Sequence, residues 1–232
     1  VGKQIFVKAS YTDGYGTTES VSSGVTSTVA NVNDLPTGTV SISGTATQGQ
    51  TLTASNNLAD ADGLGVISYN WYTSDAPSVS LGSGSSLVLG QSQVGKQIFV
   101  KASYTDGYGT AESVSSGVTL AVANVNDLPT GSVTISGTAT QGQTLTASNT
   151  LADADGLGEI SYNWYTSDAP DVSLGSGSSL VLGQSQVGKH IIVTASYIDG
   201  YGTAESVSSV ATSAVANVND LPTGTVTISG AA

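Results

Sequence analysis

Apolar and polar residues alternate along this chain in short runs, and no stretch carries a helical period. Between residues 36 and 128, Val40 and Ile42 mark one predicted strand, Leu52 and Ala54 a second, and Ile67, Tyr69 and Trp71 a third. A short strand is expected around Val79 to Leu81. Leu87 with Leu89, then Ile98, Val100, Ala102 and Tyr104, and last Val114, Val118 and Val122 mark three more. Clusters of Gly, Asp, Asn and Ser separate the runs, as turns require. About seven short strands with turns between them predict an all-β, two-sheet sandwich with Trp71 in its core.

The same pattern returns every 93 residues. VGKQIFVKASYTDGYGT begins at Val1 and again at Val94, VGKHIIVTASYIDGYGT begins at Val187, and NVNDLPTG recurs at Asn31, Asn124 and Asn217. Residues 36–128 and 129–221 differ at 12 of 93 positions, so the chain is built from copies of one module. A period this long holds a whole small domain rather than a solenoid turn. The predicted organisation is the last two strands of a first repeat in 1–35, complete repeats in 36–128 and 129–221, and the first strand of a following repeat in 222–232. Opening and closing partway through a repeat is expected of an internal segment of a longer array.

Charge narrows the list of partners. The formal net charge is −12, the chain has five lysines and no arginine, and no basic cluster exists. This argues against nucleic acid or an anionic membrane surface as a partner. No apolar stretch approaches the roughly 20 residues that a helical membrane span needs. Cysteine is absent, so no disulfide supplements the small core of each repeat. Catalysis is not expected: one histidine that does not recur and serines in turns with no base beside them make no activated nucleophile.

The acids have a pattern of their own. In a sandwich of this strand order the loops alternate between two poles. The incoming linker, the loop after the second strand and the loop before the last strand should therefore meet at one end. In the second copy that gathers Asn33, Asp34, Asp60, Asp62 and Asp106; in the third it gathers Asn126, Asp127, Asp153, Asp155 and Asp199. Carboxylates a few ångströms apart repel by about 1 kcal/mol or more per pair, and a cation offsets that repulsion. Hard oxygen donors on Gly-containing loops suit Ca²⁺. The alternative is plainer: Asp and Asn favour turns because their side chains bond the local backbone. Glu112 is either an additional ligand or a solvated charge, and Asp75 and Asp168 belong to the opposite pole. His190 stands where Gln97 and Gln4 stand in the other copies, which predicts an exposed strand residue.

The segments VNDLPTG, GTATQGQTLTASNTLADADGLG, ISYNWY and VGKQIFVKASYTDGYGTAESV cover most of each copy. Together they resemble the tandem bacterial immunoglobulin-like, cadherin-like repeats of giant secreted surface adhesins. The resemblance implies immunoglobulin-like sandwiches that act as extracellular extenders on the bacterial cell surface, usually exported by a type I system and stiffened by Ca²⁺ at the junctions. It implies junction ligands at Asp34, Asp127 and Asp220 and at the pairs Asp60 with Asp62 and Asp153 with Asp155. Two other functions remain open. Tyr15, Tyr108 and Tyr201 in the DGYG turns could stack on a glycan, or the partial repeats could pack against copies of the same chain in an extracellular filament or layer.

Overall fold

The computed structural model describes residues 1–230 and is all-β, a tandem array of β-sandwich repeats. The chain divides into two compact units, Val1–Asn124 and Val125–Ala232. The first opens with a hairpin of β1 (Lys8–Thr12) and β2 (Thr18–Ser22), whose residues are all exposed. It continues with β3 (Val40–Ser43), β4 (Thr51–Asn56), β5 (Ser68–Thr73), β6 (Gly82–Ser83), β7 (Ser86–Val88), β8 (Ile98–Thr105) and β9 (Ala111–Ser115). One sheet has the order β3-β4-β7 and the other β6-β5-β8-β9, and every pairing in them is antiparallel.

The second unit repeats this plan. Its strands are β10 (Val133–Ser136), β11 (Thr144–Asn149), β12 (Ser161–Thr166), β13 (Gly175–Ser176), β14 (Ser179–Val181), β15 (Ile191–Ile198) and β16 (Ala204–Ser208). They form sheets of order β10-β11-β14 and β13-β12-β15-β16.

Strict alternation makes the core. Along β8 the even positions Ile98, Val100, Ala102 and Tyr104 are buried while the odd positions turn outward, as the two-residue period of a strand dictates. They meet Leu52 and Ala54 of β4 and Trp71 of β5, with Leu89 and Val122 closing the cluster. Trp71 is fully buried, and its indole N–H donates to the Gly84 carbonyl at 2.9 Å. Trp164 does the same with Gly177. On the outward face of β8, half-buried Phe99 stacks on Tyr72 with ring centroids 5.3 Å apart.

Two strand expectations shift. The short strand expected around Val79 to Leu81 is displaced: Val79 closes a turn on Ala76, the Leu81 N–H bonds the Trp71 carbonyl, and the strand that pairs with β5 is Gly82–Ser83. Val118 is not a core residue; it is exposed. After Ser115 the chain bulges but stays on β8: the Ser116 and Thr119 N–H groups still donate to the Val100 and Ile98 carbonyls, while the Ser116 and Thr119 hydroxyls accept the Val100 and Ile98 N–H groups in place of backbone carbonyls. The strand direction resumes at Val122, which returns to the core. Residues 222–230 form no strand, and Ala231 and Ala232 lie outside the described residues.

Leu52 and Leu145 are fully buried at equivalent places in the two cores. Leu52→Ala or Leu145→Ala should destabilise the affected unit by about 2–5 kcal/mol. Urea unfolding followed by tryptophan fluorescence measures this, since each core holds one tryptophan.

Candidate functional site

At one pole of each sandwich three separate stretches of chain converge. In the first unit the Asp34 N–H, on the incoming linker, donates to Asp62 Oδ2 at 2.7 Å. Asp62 lies on the loop between β4 and β5; its own N–H is held by Asp60 Oδ1 at 2.8 Å, and its carbonyl accepts the Gly107 N–H of the β8–β9 loop at 3.0 Å. The linker is held a second time where Asn33 Nδ2 donates to Glu112 Oε1 at 2.7 Å. The second unit repeats these contacts with Asp127, Asp155, Asp153, Gly200, Asn126 and Glu205.

The loops cross with no clearance. A Cβ on Gly107 would stand 2.5 Å from the Asp62 carbonyl oxygen, and one on Gly65 would stand 2.0 Å from that of Thr105. These two glycines are fixed by the close approach of backbone to backbone.

Asp106 and Asp199 carry both readings of the acids at once. Asp106 Oδ1 accepts the N–H groups of Tyr108 and Thr110, each at 2.8 Å. The exposed hairpin at the start of the chain makes the same bonds from Asp13 to Tyr15 and Thr17, so this oxygen is a local turn former. Its other oxygen differs. Asp106 is only 6% exposed, and Asp106 Oδ2 is buried with no hydrogen-bond partner; the same holds for Asp199. A buried carboxylate oxygen without a donor is costly unless positive charge reaches it.

Burial pushes the Asp106 carboxyl up, but the backbone N–H groups of Thr110, Tyr108 and Gly109 and the Thr110 hydroxyl outweigh it and hold the group below the usual carboxylate range. Asp199 follows the same balance. Next to them the Tyr104 phenol donates to Asp60 Oδ2 at 2.6 Å, and Tyr197 donates to Asp153 Oδ2 at 2.5 Å. Burial raises the Tyr104 phenol far above its ordinary value, and the Asp60 bond with the charges of Asp60, Glu112 and Asp106 raises it further. Those three acids therefore act on one point. Tyr197 is raised in the same way by burial and by Asp153, Glu205 and Asp199.

Asp60, Asp62 and Asp106 thus lie together with Asn33, and Asp153, Asp155 and Asp199 with Asn126. Asp34 and Asp127 join through the main-chain N–H. Glu112 and Glu205 belong to the pole as linker anchors, a role carried in the sequence only by their position just after the DGYGT turn. Among the described residues no three acidic or histidine side chains form a ready-made metal cage. Much of their oxygen inventory is engaged in hydrogen bonds to linker, loop and phenol. The donor set is all hard oxygen, and the orphaned Asp106 Oδ2 and Asp199 Oδ2 suit a hard cation.

Other candidates fall elsewhere. Asp75 pairs with Lys96 at 3.5 Å and Asp168 pairs with Lys189 at the opposite pole. The Thr73 side chain first, and Lys96 after it, lower the Asp75 carboxyl; Lys189 leads for Asp168. His190 is exposed, with Nδ1 2.8 Å from the Thr212 carbonyl. Tyr15, Tyr108 and Tyr201 are exposed at the tips of the DGYG turns.

No protein-family model matches the sequence, and no curated protein does. Among solved structures, the chain is similar to a tetra-tandem repeat in the extending region of a large adhesion protein. The identity is 22%, the TM-score is 0.30, and the match covers 90% of this chain and 56% of that one.

The shifted groups set two pH limits. A phenol whose folded value is raised contributes stability in full below about pH 10, the ordinary tyrosine value, and loses it as pH climbs toward the folded value. A depressed carboxyl contributes above about pH 3.9 and loses its contribution as pH falls through the folded value. Thermal melts should therefore show an alkaline fall above about pH 10 that is shallower in Tyr104→Phe with Tyr197→Phe. They should also show an acid fall below about pH 4 that is shallower in Asp106→Asn with Asp199→Asn.

Proposed function

We propose that the chain is a run of structural spacer modules from the extender region of a secreted, repetitive bacterial surface adhesin, with Ca²⁺ reinforcing the acidic pole of each module. One observation carries the spacer reading: in the second unit the linkers on both sides of the sandwich are fastened to that sandwich. The incoming linker is held at Asn126 and Asp127. The outgoing one is held by backbone bonds at Val215 and Ala216 and by side-chain bonds at Val218 and Asp220. A linker that cannot swing against its module passes the direction of that module along the chain. Near-identity of the copies fits this role, because length grows with the number of modules and no copy needs chemistry of its own.

The residues that would hold the ion are Asp60, Asp62, Asp106 and Glu112 with the linker residues Asn33 and Asp34 in one unit. Their counterparts are Asp153, Asp155, Asp199, Glu205, Asn126 and Asp127 in the other. A bound cation would offset the repulsion among these carboxylates and give the buried Asp106 and Asp199 oxygens a partner. Binding that favours the folded pole adds RT ln(1 + [L]/Kd), about 2.7 kcal/mol at a hundredfold excess over Kd.

Calcium titration followed by differential scanning calorimetry tests this. The midpoint should rise with Ca²⁺ and fall again with EGTA. Asp106→Asn and Asp199→Asn should each remove the rise from the unit they belong to. A midpoint indifferent to chelator would exclude the ion.

A further inference from the structure

The outgoing end of the second unit is gripped in two stages. Backbone bonds hold it as far as Ala216, where Ala216 N–H donates to the Ala139 carbonyl and Gln141 N–H donates to the Ala216 carbonyl, each at 2.9 Å. Beyond that point the Gln141 side chain takes over. Its Oε1 accepts the Val218 N–H at 3.2 Å, and its Nε2 donates to Asp220 Oδ2 at 3.1 Å. One amide thus spans the linker from Val218 to Asp220. The orientation of the amide follows from its partners, since an N–H needs the oxygen and a carboxylate needs the NH₂. Among the described residues the segment has one further hydrogen bond, from Gln184 Nε2 to Asn217 Oδ1 at 3.5 Å, at the limit of a hydrogen bond.

The linker aspartate presents different atoms at the two ends of a module. In the incoming linker the backbone N–H of Asp34 or Asp127 is taken, by Asp62 or Asp155. In the outgoing linker the carboxylate of Asp220 is taken, by Gln141. The two uses do not compete for an atom.

We propose that Gln141, in the turn between β10 and β11, is the positioning residue of the outgoing linker. It recognises the Val-Asn-Asp segment by a backbone N–H and an acidic side chain together, leaving the aspartate N–H available to a module downstream. This rests on the spacer reading and adds to it a residue outside the acidic pole. It also gives the linker aspartate a reason for its charge that involves no ion.

Amide hydrogen exchange by NMR on the whole chain tests it. In Gln141→Ala the Val218 amide should exchange about tenfold faster, the loss of one hydrogen bond. The Ala216 amide, bound by backbone, and the Trp164 unfolding midpoint should stay unchanged. In Gln141→Glu the new carboxylate repels Asp220, and Val218 protection should be lost. Gln141→Glu with Asp220→Asn restores a donor facing an acceptor and should recover it. Unchanged Val218 exchange in Gln141→Ala, or no recovery in the double variant, overturns the proposal. Neither outcome depends on calcium, so failure here is separable from failure of the calcium-dependent midpoint.

Discussion

Asp62, with its equivalent Asp155, is the residue on which the pole depends. Three of its groups are committed to three pieces of chain: the N–H to its own loop, the carbonyl to the β8–β9 loop and the carboxylate to the incoming linker. The side chain is 7% exposed in one unit and 3% in the other, so water does not compete strongly for these bonds. A buried, charge-assisted acceptor of this kind is worth more than a neutral one and is costly to leave unmade. Removing the carboxylate would orphan the Asp34 N–H and leave the linker its Asn33–Glu112 bond, while the two main-chain bonds of Asp62 to the loops do not depend on the side chain.

Around that residue the acids divide the work by atom. Asp60 orders the Asp62 loop with one oxygen and receives a phenol with the other. Glu112 holds the linker through Asn33. Asp106 closes its own turn with one oxygen and leaves the other turned inward without a donor. The exposed hairpin is an internal control: without its opposing loop the Asp13 turn still forms, while the Tyr11 phenol, lacking a partner like Asp60, bonds Glu19 instead. The turn is a local property and the acidic pole is a tertiary one.

That distinction explains what could be read from the sequence. The strands of the core were legible because Ile98, Val100, Ala102 and Tyr104 keep a two-residue period against Leu52 and Trp71. Loop parity placed the acids at a common pole because it needs only the strand count. The path near Val118 was not legible, since Ser116 and Thr119 replace ladder carbonyls with hydroxyls and a Ser or Thr in a strand carries no sign of that use. Nor was the amide role of Asp34, because a backbone N–H has no residue type. Gln141 was equally hidden: a glutamine in a turn looks like any solvated polar residue until the linker lies against it.

The bulge of the chain along β8 after Ser115 matters beyond the path of one strand. Tandem domains that differ at 12 of 93 positions are at risk of exchanging strands while they fold, because each can offer its neighbour a matching sequence. Outer strands of two to five residues, one of them interrupted by side-chain hydroxyls where a ladder would continue, give an intruding copy little backbone to pair with. Short outer strands and a broken ladder of this kind shorten the template that one near-duplicate offers another.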